Sequence, residues 1–157
     1  MTIRVVWGTG TAPTEMAAYD AALADAGVHN YNLVTVSSVI PADADVEVAG
    51  TAPDLGPAGN RLTVVEAHAN AAGPRHVSAA LAWAKSDAGP GLFYEVAGDT
   101  DAADVEARVR AGIEAGMDLR DWSFDDATVR ATSTGADAGE YAAAVVVAAF
   151  GDSEPIL

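Results

Sequence analysis

Only two stretches of this 157-residue chain carry the apolar spacing of a helix, and the rest of its apolar residues come in short runs closed by glycine or proline. The runs are residues 2–7, 31–40, 61–71, 91–97, 127–134 and 140–150, and each reads as a strand. Residues 76–85 contain alanine and leucine that suit a helix, but Val77, Trp83 and the alternation predict a strand. The first helix lies between Pro13, suited to a first turn, and Gly27, suited to the position after the last. Met16, Tyr19, Leu23 and Ala26 are predicted to share its apolar face. The second covers residues 101–117, with acids in its first turns and a stripe of Val105, Val109, Ile113 and Met117. Gly8-Thr9-Gly10-Thr11 is predicted to end the first strand. Residues 41–60 hold Pro41, Pro53, Pro57, Gly50, Gly56 and Gly59, and read as a long irregular loop with a short strand at residues 46–48. The last seven residues read as a tail. Strands outnumber helices and do not alternate with them, which predicts an α+β fold in which helices cover largely antiparallel sheets. The length suits a single domain spanning residues 1–157.

Composition narrows the chemistry. Aromatics make up 6% of the chain, so the core must be built from alanine, valine, leucine and isoleucine. There is no cysteine, which removes disulfides, thiolate ligands and thiol nucleophiles. His29, His68 and His76 are scattered without metal-binding spacing, so no metal is expected. No apolar run approaches the roughly eighteen residues of a membrane span, and the N-terminus lacks a charged leader with a long apolar run. The expected location is the cytoplasm. With 23 acidic against 8 basic residues and a formal charge of −15, the chain is a poor partner for phosphates, and no nucleic acid is expected. Such an acid-rich surface, with Lys85 the only lysine, reads as adaptation to high salt. At molar salt long-range steering is screened, so only a local carboxylate could select a cationic ligand.

Four features carry candidate chemistry. Gly8-Thr9-Gly10 follows a strand and precedes a helix, but lacks the third glycine of a dinucleotide loop and the lysine of a phosphate loop. Asp20 borders the apolar stripe of the first helix, as a solvated edge residue or as a ligand for a cation. Glu95 sits in Leu92-Phe93-Tyr94-Glu95-Val96. On a buried face it would be desolvated and held protonated, the state a general acid needs; on the other face it would be solvated. Ser37-Ser38 closes an apolar strand ahead of Val39-Ile40-Pro41. It is either a strand terminus or a self-cleavage site. In the second case a serine hydroxyl attacks the preceding carbonyl, and elimination and hydrolysis of the resulting ester leave a pyruvoyl group at the new terminus.

The runs Tyr19-Asp20-Ala21-Ala22-Leu23 and Asn30-Tyr31-Asn32-Leu33-Val34-Thr35-Val36-Ser37-Ser38-Val39-Ile40-Pro41 occur in an order that resembles the core of the pyruvoyl-dependent arginine decarboxylases. Gly91-Leu92-Phe93-Tyr94-Glu95, Gly116-Met117-Asp118-Leu119-Arg120-Asp121-Trp122 and Tyr141-Ala142-Ala143-Ala144-Val145 resemble the same family, so the likeness covers nearly the whole chain. It implies a sandwich of sheets and helices like that of the pyruvoyl-dependent histidine and arginine decarboxylases. It implies cleavage between Ser37 and Ser38, giving a β chain of residues 1–37 and an α chain of residues 38–157. Ser38 would become a covalent pyruvoyl cofactor, with no pyridoxal phosphate. Asn32 matches the asparagine of processing and positioning, Glu95 the proton donor, and Asp20 the acceptor of the substrate guanidinium. The implied reaction turns L-arginine into agmatine and CO2, in a trimer or dimer of trimers with active sites between protomers. The loop of residues 42–60 departs from the family pattern, as does His29, where a small residue is common. Alternatives are a pyruvoyl decarboxylase of ornithine, lysine or histidine, a hydrolase with an N-terminal serine nucleophile, and an uncleaved acidic trimer that binds polyamines.

Overall fold

The computed structural model describes all 157 residues. Eleven elements follow in chain order: β1 (Thr2–Ala12), α1 (Glu15–Ala26), β2 (Asn32–Thr35), β3 (Val39–Ile40), β4 (Asp45–Gly50), β5 (Arg61–Ala72), β6 (Arg75–Lys85), β7 (Gly91–Gly98), α2 (Ala102–Asp118), β8 (Thr128–Ala136) and β9 (Tyr141–Phe150). One sheet has the order β2-β5-β9-β1-β4 and the other β3-β7-β6-β8. The β1–β4 and β2–β5 pairs are parallel and all others antiparallel. The α+β sandwich expected from the sequence is the fold.

Three apolar layers order the elements. Ile3, Val5, Val65 and Val146 of the first sheet meet Val77, Leu81, Trp83 and Phe93 of the second between the sheets. Ala18, Ala22, Leu23 and Ala26 of α1 cover the outer face of the first sheet, on Val6, Val64, Val145 and Val147. Val105, Val109 and Ile113 of α2 cover the second, on Ala80, Ala82 and Leu92. The run of β9 is apolar without alternation because both its faces are covered, and residues 142–149 are fully buried.

The glycines of β1 explain how α1 lies so close. β1 does not stop at Gly8 but runs through to Ala12, paired with β9 throughout. A Cβ on Gly8 would collide with the Ala22 carbonyl oxygen, and one on Gly10 would stand 2.6 Å from that of Ala18. The Thr9 backbone N–H donates to Asp25 Oδ2 at 3.0 Å. The glycine segment is a helix bed, which corrects its expected role as a strand break. Gly8→Ala is expected to cost about 3 kcal/mol, the upper part of the range for overpacked sites, read as a lower urea midpoint with an unchanged slope.

Other expectations are corrected here. The strand of residues 31–40 is split: β2 pairs with β5 in the first sheet, β3 with β7 in the second. The loop of residues 41–60 contains β4, a full edge strand beside β1. The tail pairs Glu154 with Arg61. Met16 is not on the buried face of α1 but 73% exposed, because Ala18 and Ala22 form the bed contact instead.

Candidate active site

The Ser37–Ser38 peptide bond lies where the chain crosses from one sheet to the other. The Val36 N–H donates to the Val64 carbonyl oxygen at 2.9 Å, which extends the β2–β5 ladder of the first sheet. Two residues later the Phe93 N–H donates to the Ser38 carbonyl oxygen at 2.7 Å, in the second. Ser37 alone spans the gap and is exposed, with Ser38 half-buried.

Glu95 belongs to this place. Val39 pairs with Leu92, so Ser38 stands opposite Phe93, and continuing the register would set Val36 opposite Glu95. Val36 has instead peeled away to the first sheet, which leaves the β7 edge beside Glu95 open. Phe93 packs between the sheets and Leu92 beneath α2. Side chains alternate along a strand, so Glu95 shares the inter-sheet face of Phe93. The residue is exposed at this open edge, yet the surrounding apolar edge desolvates its carboxyl and pushes its pKa up, against a smaller lowering by its own backbone N–H. Glu95 is thus reached by solvent, with its pKa shifted upward by desolvation.

Asp20 and Asn32 lie elsewhere. Asp20 is exposed on α1 and lines a shallow cavity of about 430 Å³ with Met16, Tyr19 and Leu23. None of the four ion pairs of the chain includes it. Since α1 covers the outer face of the first sheet, that sheet stands between Asp20 and the inter-sheet edge of Ser38 and Glu95. Asn32 opens β2, and its side-chain N–H donates to the Gly59 carbonyl oxygen at 2.8 Å. The ladder stays extended from Asn32 to Val36, which at about 3.3 Å per residue puts them roughly 13 Å apart. One chain therefore brings Ser38 to the β7 edge two residues from Glu95, and leaves Asp20 and Asn32 elsewhere.

Two features of the site region were not singled out in the sequence. Tyr19 on α1 bonds through its hydroxyl to both carboxylate oxygens of Glu66 on β5, at 2.8 and 2.9 Å. Its ring stacks on His68, with centroids 4.0 Å apart. Burial pushes up the Tyr19 phenol and the Glu66 carboxyl, and pulls down the His68 imidazole. The parity Leu62-Val64-Glu66-His68-Asn70 was visible as a strand face that turns from apolar to polar at Glu66; that α1 covers this face was not. The second is the contact made by the only lysine: the Lys85 ammonium donates to the carbonyl oxygens of Ala42 and Ala44 at 3.2 and 2.6 Å and so fixes the turn that follows β3. No group of acids and histidines here could hold a metal ion, and no helix is long and apolar enough to cross a membrane.

Comparison with known proteins adds three findings. The family model described as pyruvoyl-dependent arginine decarboxylase matches residues 2–155. A pyruvoyl-dependent arginine decarboxylase of Halobacterium salinarum is 66% identical over 154 residues, covering 98% of this chain and 96% of the relative. Proteins of the same name from Methanopyrus kandleri and Thermococcus kodakarensis are 32% and 37% identical, over 93% and 92% of this chain and 93% of each relative.

Proposed function

The chain belongs to the pyruvoyl-dependent arginine decarboxylase family, and from that premise we propose that it cleaves itself between Ser37 and Ser38 and converts L-arginine to agmatine and CO2. The observation that carries the reading is the meeting of Ser38 with the β7 edge, its carbonyl oxygen on the Phe93 N–H and Glu95 two residues further along the same face.

Each residue has a physical task. The Ser38 hydroxyl attacks the Ser37 carbonyl carbon and breaks the amide bond; elimination of the ester frees the Ser37 carboxylate, and water then replaces ammonia at residue 38. The pyruvoyl group so formed supplies a ketone for the substrate amine and an electron sink for the carboxyl's departure. The Phe93 N–H is placed to neutralise charge on the Ser38 carbonyl oxygen. Glu95, whose pKa desolvation pushes up, delivers a proton to the substrate α-carbon. Residues 1–37 remain attached after cleavage because β1 pairs with both β4 and β9.

Asp20 takes the guanidinium in a two-pronged contact, with Met16 and Leu23 as walls for the methylene chain. Because the first sheet separates Asp20 from Ser38 within one chain, the complete site draws Asp20 and Ser38 from neighbouring protomers. This favours a trimer or dimer of trimers, with Asn32 acting on a neighbour's Ser38. Val34, Val36 and Val39, exposed around the cleavage point, offer an apolar surface for that contact.

The test is product analysis with arginine, ornithine, lysine and histidine in parallel. Agmatine and CO2 in equal amounts from arginine alone support the reading. The amine of another amino acid would assign a different decarboxylase, and no product from an uncleaved chain would leave a polyamine-binding assembly. Asp20→Ala is expected to raise KM for arginine by about 10- to 100-fold, the scale of one charged hydrogen-bond pair, with the chain still cleaved; an unchanged KM removes Asp20 from the site.

A further inference from the structure

We infer that Glu66 is a positioning residue for arginine binding, acting through Tyr19 to set where α1 presents Asp20. The inference rests on the reading of Asp20 as the guanidinium acceptor.

The contact face of α1 is almost featureless. Ala18, Ala22 and Ala26 lie on Gly8 and Gly10, and Leu23 is the one large buried side chain of the helix. Such a surface allows close approach but supplies few interlocking side chains to stop the helix rolling or sliding. The register of α1 is set from the side, by β5. Glu66, His68 and Asn70 alternate along one face of β5, and each takes hold of the helix. Glu66 receives the Tyr19 hydroxyl, His68 stacks on the Tyr19 ring, and the Asn70 side-chain N–H donates to the Glu15 carbonyl oxygen at 3.0 Å. Tyr19 and Asp20 are consecutive, about 100° apart around the helix. A roll that freed Tyr19 would carry the Asp20 carboxylate with it. Burial pushes the phenol up, so Tyr19 stays a hydroxyl donor across the range in which the enzyme would work.

This tie is distinct from what holds the helix down. The apolar cover of α1 is its alanine face and Leu23, with the Tyr19 ring packed at its margin; Tyr19→Phe and Glu66→Ala both keep that ring and remove only the hydrogen bond. Loss of the bond should therefore show in substrate binding before it shows in folding.

The experiment measures KM and kcat for arginine and direct binding of agmatine by calorimetry, on the cleaved wild type, Glu66→Ala, Glu66→Gln and Tyr19→Phe. Glu66→Ala is expected to raise KM and the agmatine Kd together by about tenfold, since small displacements of a binding group cost one to two orders of magnitude, with kcat within about threefold. Tyr19→Phe keeps the ring and its stack but loses the bond, and is expected to match it. Glu66→Gln still accepts from the Tyr19 hydroxyl and should return KM to within about threefold of wild type. Wild-type KM and Kd in both Glu66→Ala and Tyr19→Phe overturn the inference. A Gln variant as weak as the Ala variant overturns it too, by assigning Glu66 a direct charge effect. A wild type that binds no agmatine overturns the proposed function, and this inference with it.

Discussion

Ser38→Ala is expected to yield one intact chain of 157 residues with no detectable release of CO2. The hydroxyl of Ser38 is the only atom group at the crossing that can attack the Ser37 carbonyl carbon without entering from another element. Alanine removes it while leaving the backbone bond from the Phe93 N–H to the residue 38 carbonyl oxygen in place. The variant should therefore fold with wild-type melting behaviour, since Ser38 is half-buried and forms no side-chain hydrogen bond within the fold. Ser37→Ala separates the two serines. Ser37 contributes its carbonyl carbon, which alanine retains, so this variant should still split. Cleavage in Ser38→Ala, seen as two bands on a denaturing gel, would refute the assignment of the nucleophile.

The second large effect is expected from Glu95→Gln. A positioned general acid contributes typically about 10²- to 10⁴-fold to a rate, and kcat for arginine, normalised to cleaved chain, should fall by that amount with KM changed little. The pH dependence has a definite sign. Desolvation raises the Glu95 pKa, so the acid form persists to higher pH than for a solvated carboxyl. In the wild type kcat should fall as pH rises through that raised pKa, and the Gln variant should lack this limb. The same shift makes the stability contribution of Glu95 fullest at low pH and lost as pH rises through its folded pKa. Full turnover in Glu95→Gln would remove it as the acid and leave the Ser38 chemistry standing.

How much of this could be read in the residues depends on whether the signal was local. Nearly every strand and both helices were legible, because each run carries its own periodicity and its own stops. The failures share a cause. Gly8 and Gly10 look like a break to any local rule, and are strand because a helix presses on them from outside. Residues 31–40 look like one strand, because nothing local says that the two halves pair with β5 and β7 in different sheets. Met16 falls on the apolar stripe by spacing, and is exposed because the sheet beneath prefers alanine. The candidate site divides in the same way. Ser37, Ser38, Glu95 and Asp20 stood out from their local setting with two readings each, while Asn32 and the assignment of roles came through the order of motifs in a family. The placing of Ser38 on the edge of the strand that carries Glu95 depends on a long-range strand pairing. The separation of Asp20 depends on which face of the sheet α1 covers. Glu66 shows the limit most clearly: its acid was visible where the face of Leu62 and Val64 turns polar, and its partner Tyr19, 47 residues away, was not.

The central claim is that this chain makes its own electrophile from Ser38. It is tested most directly by the intact mass of the denatured protein, with and without prior treatment by arginine and borohydride. The account predicts two fragments, residues 1–37 and 38–157, the larger with no free terminal amine and heavier after borohydride trapping in the presence of arginine. A single full-length chain in a preparation that releases agmatine, or a larger fragment that keeps a free serine amine, would contradict it.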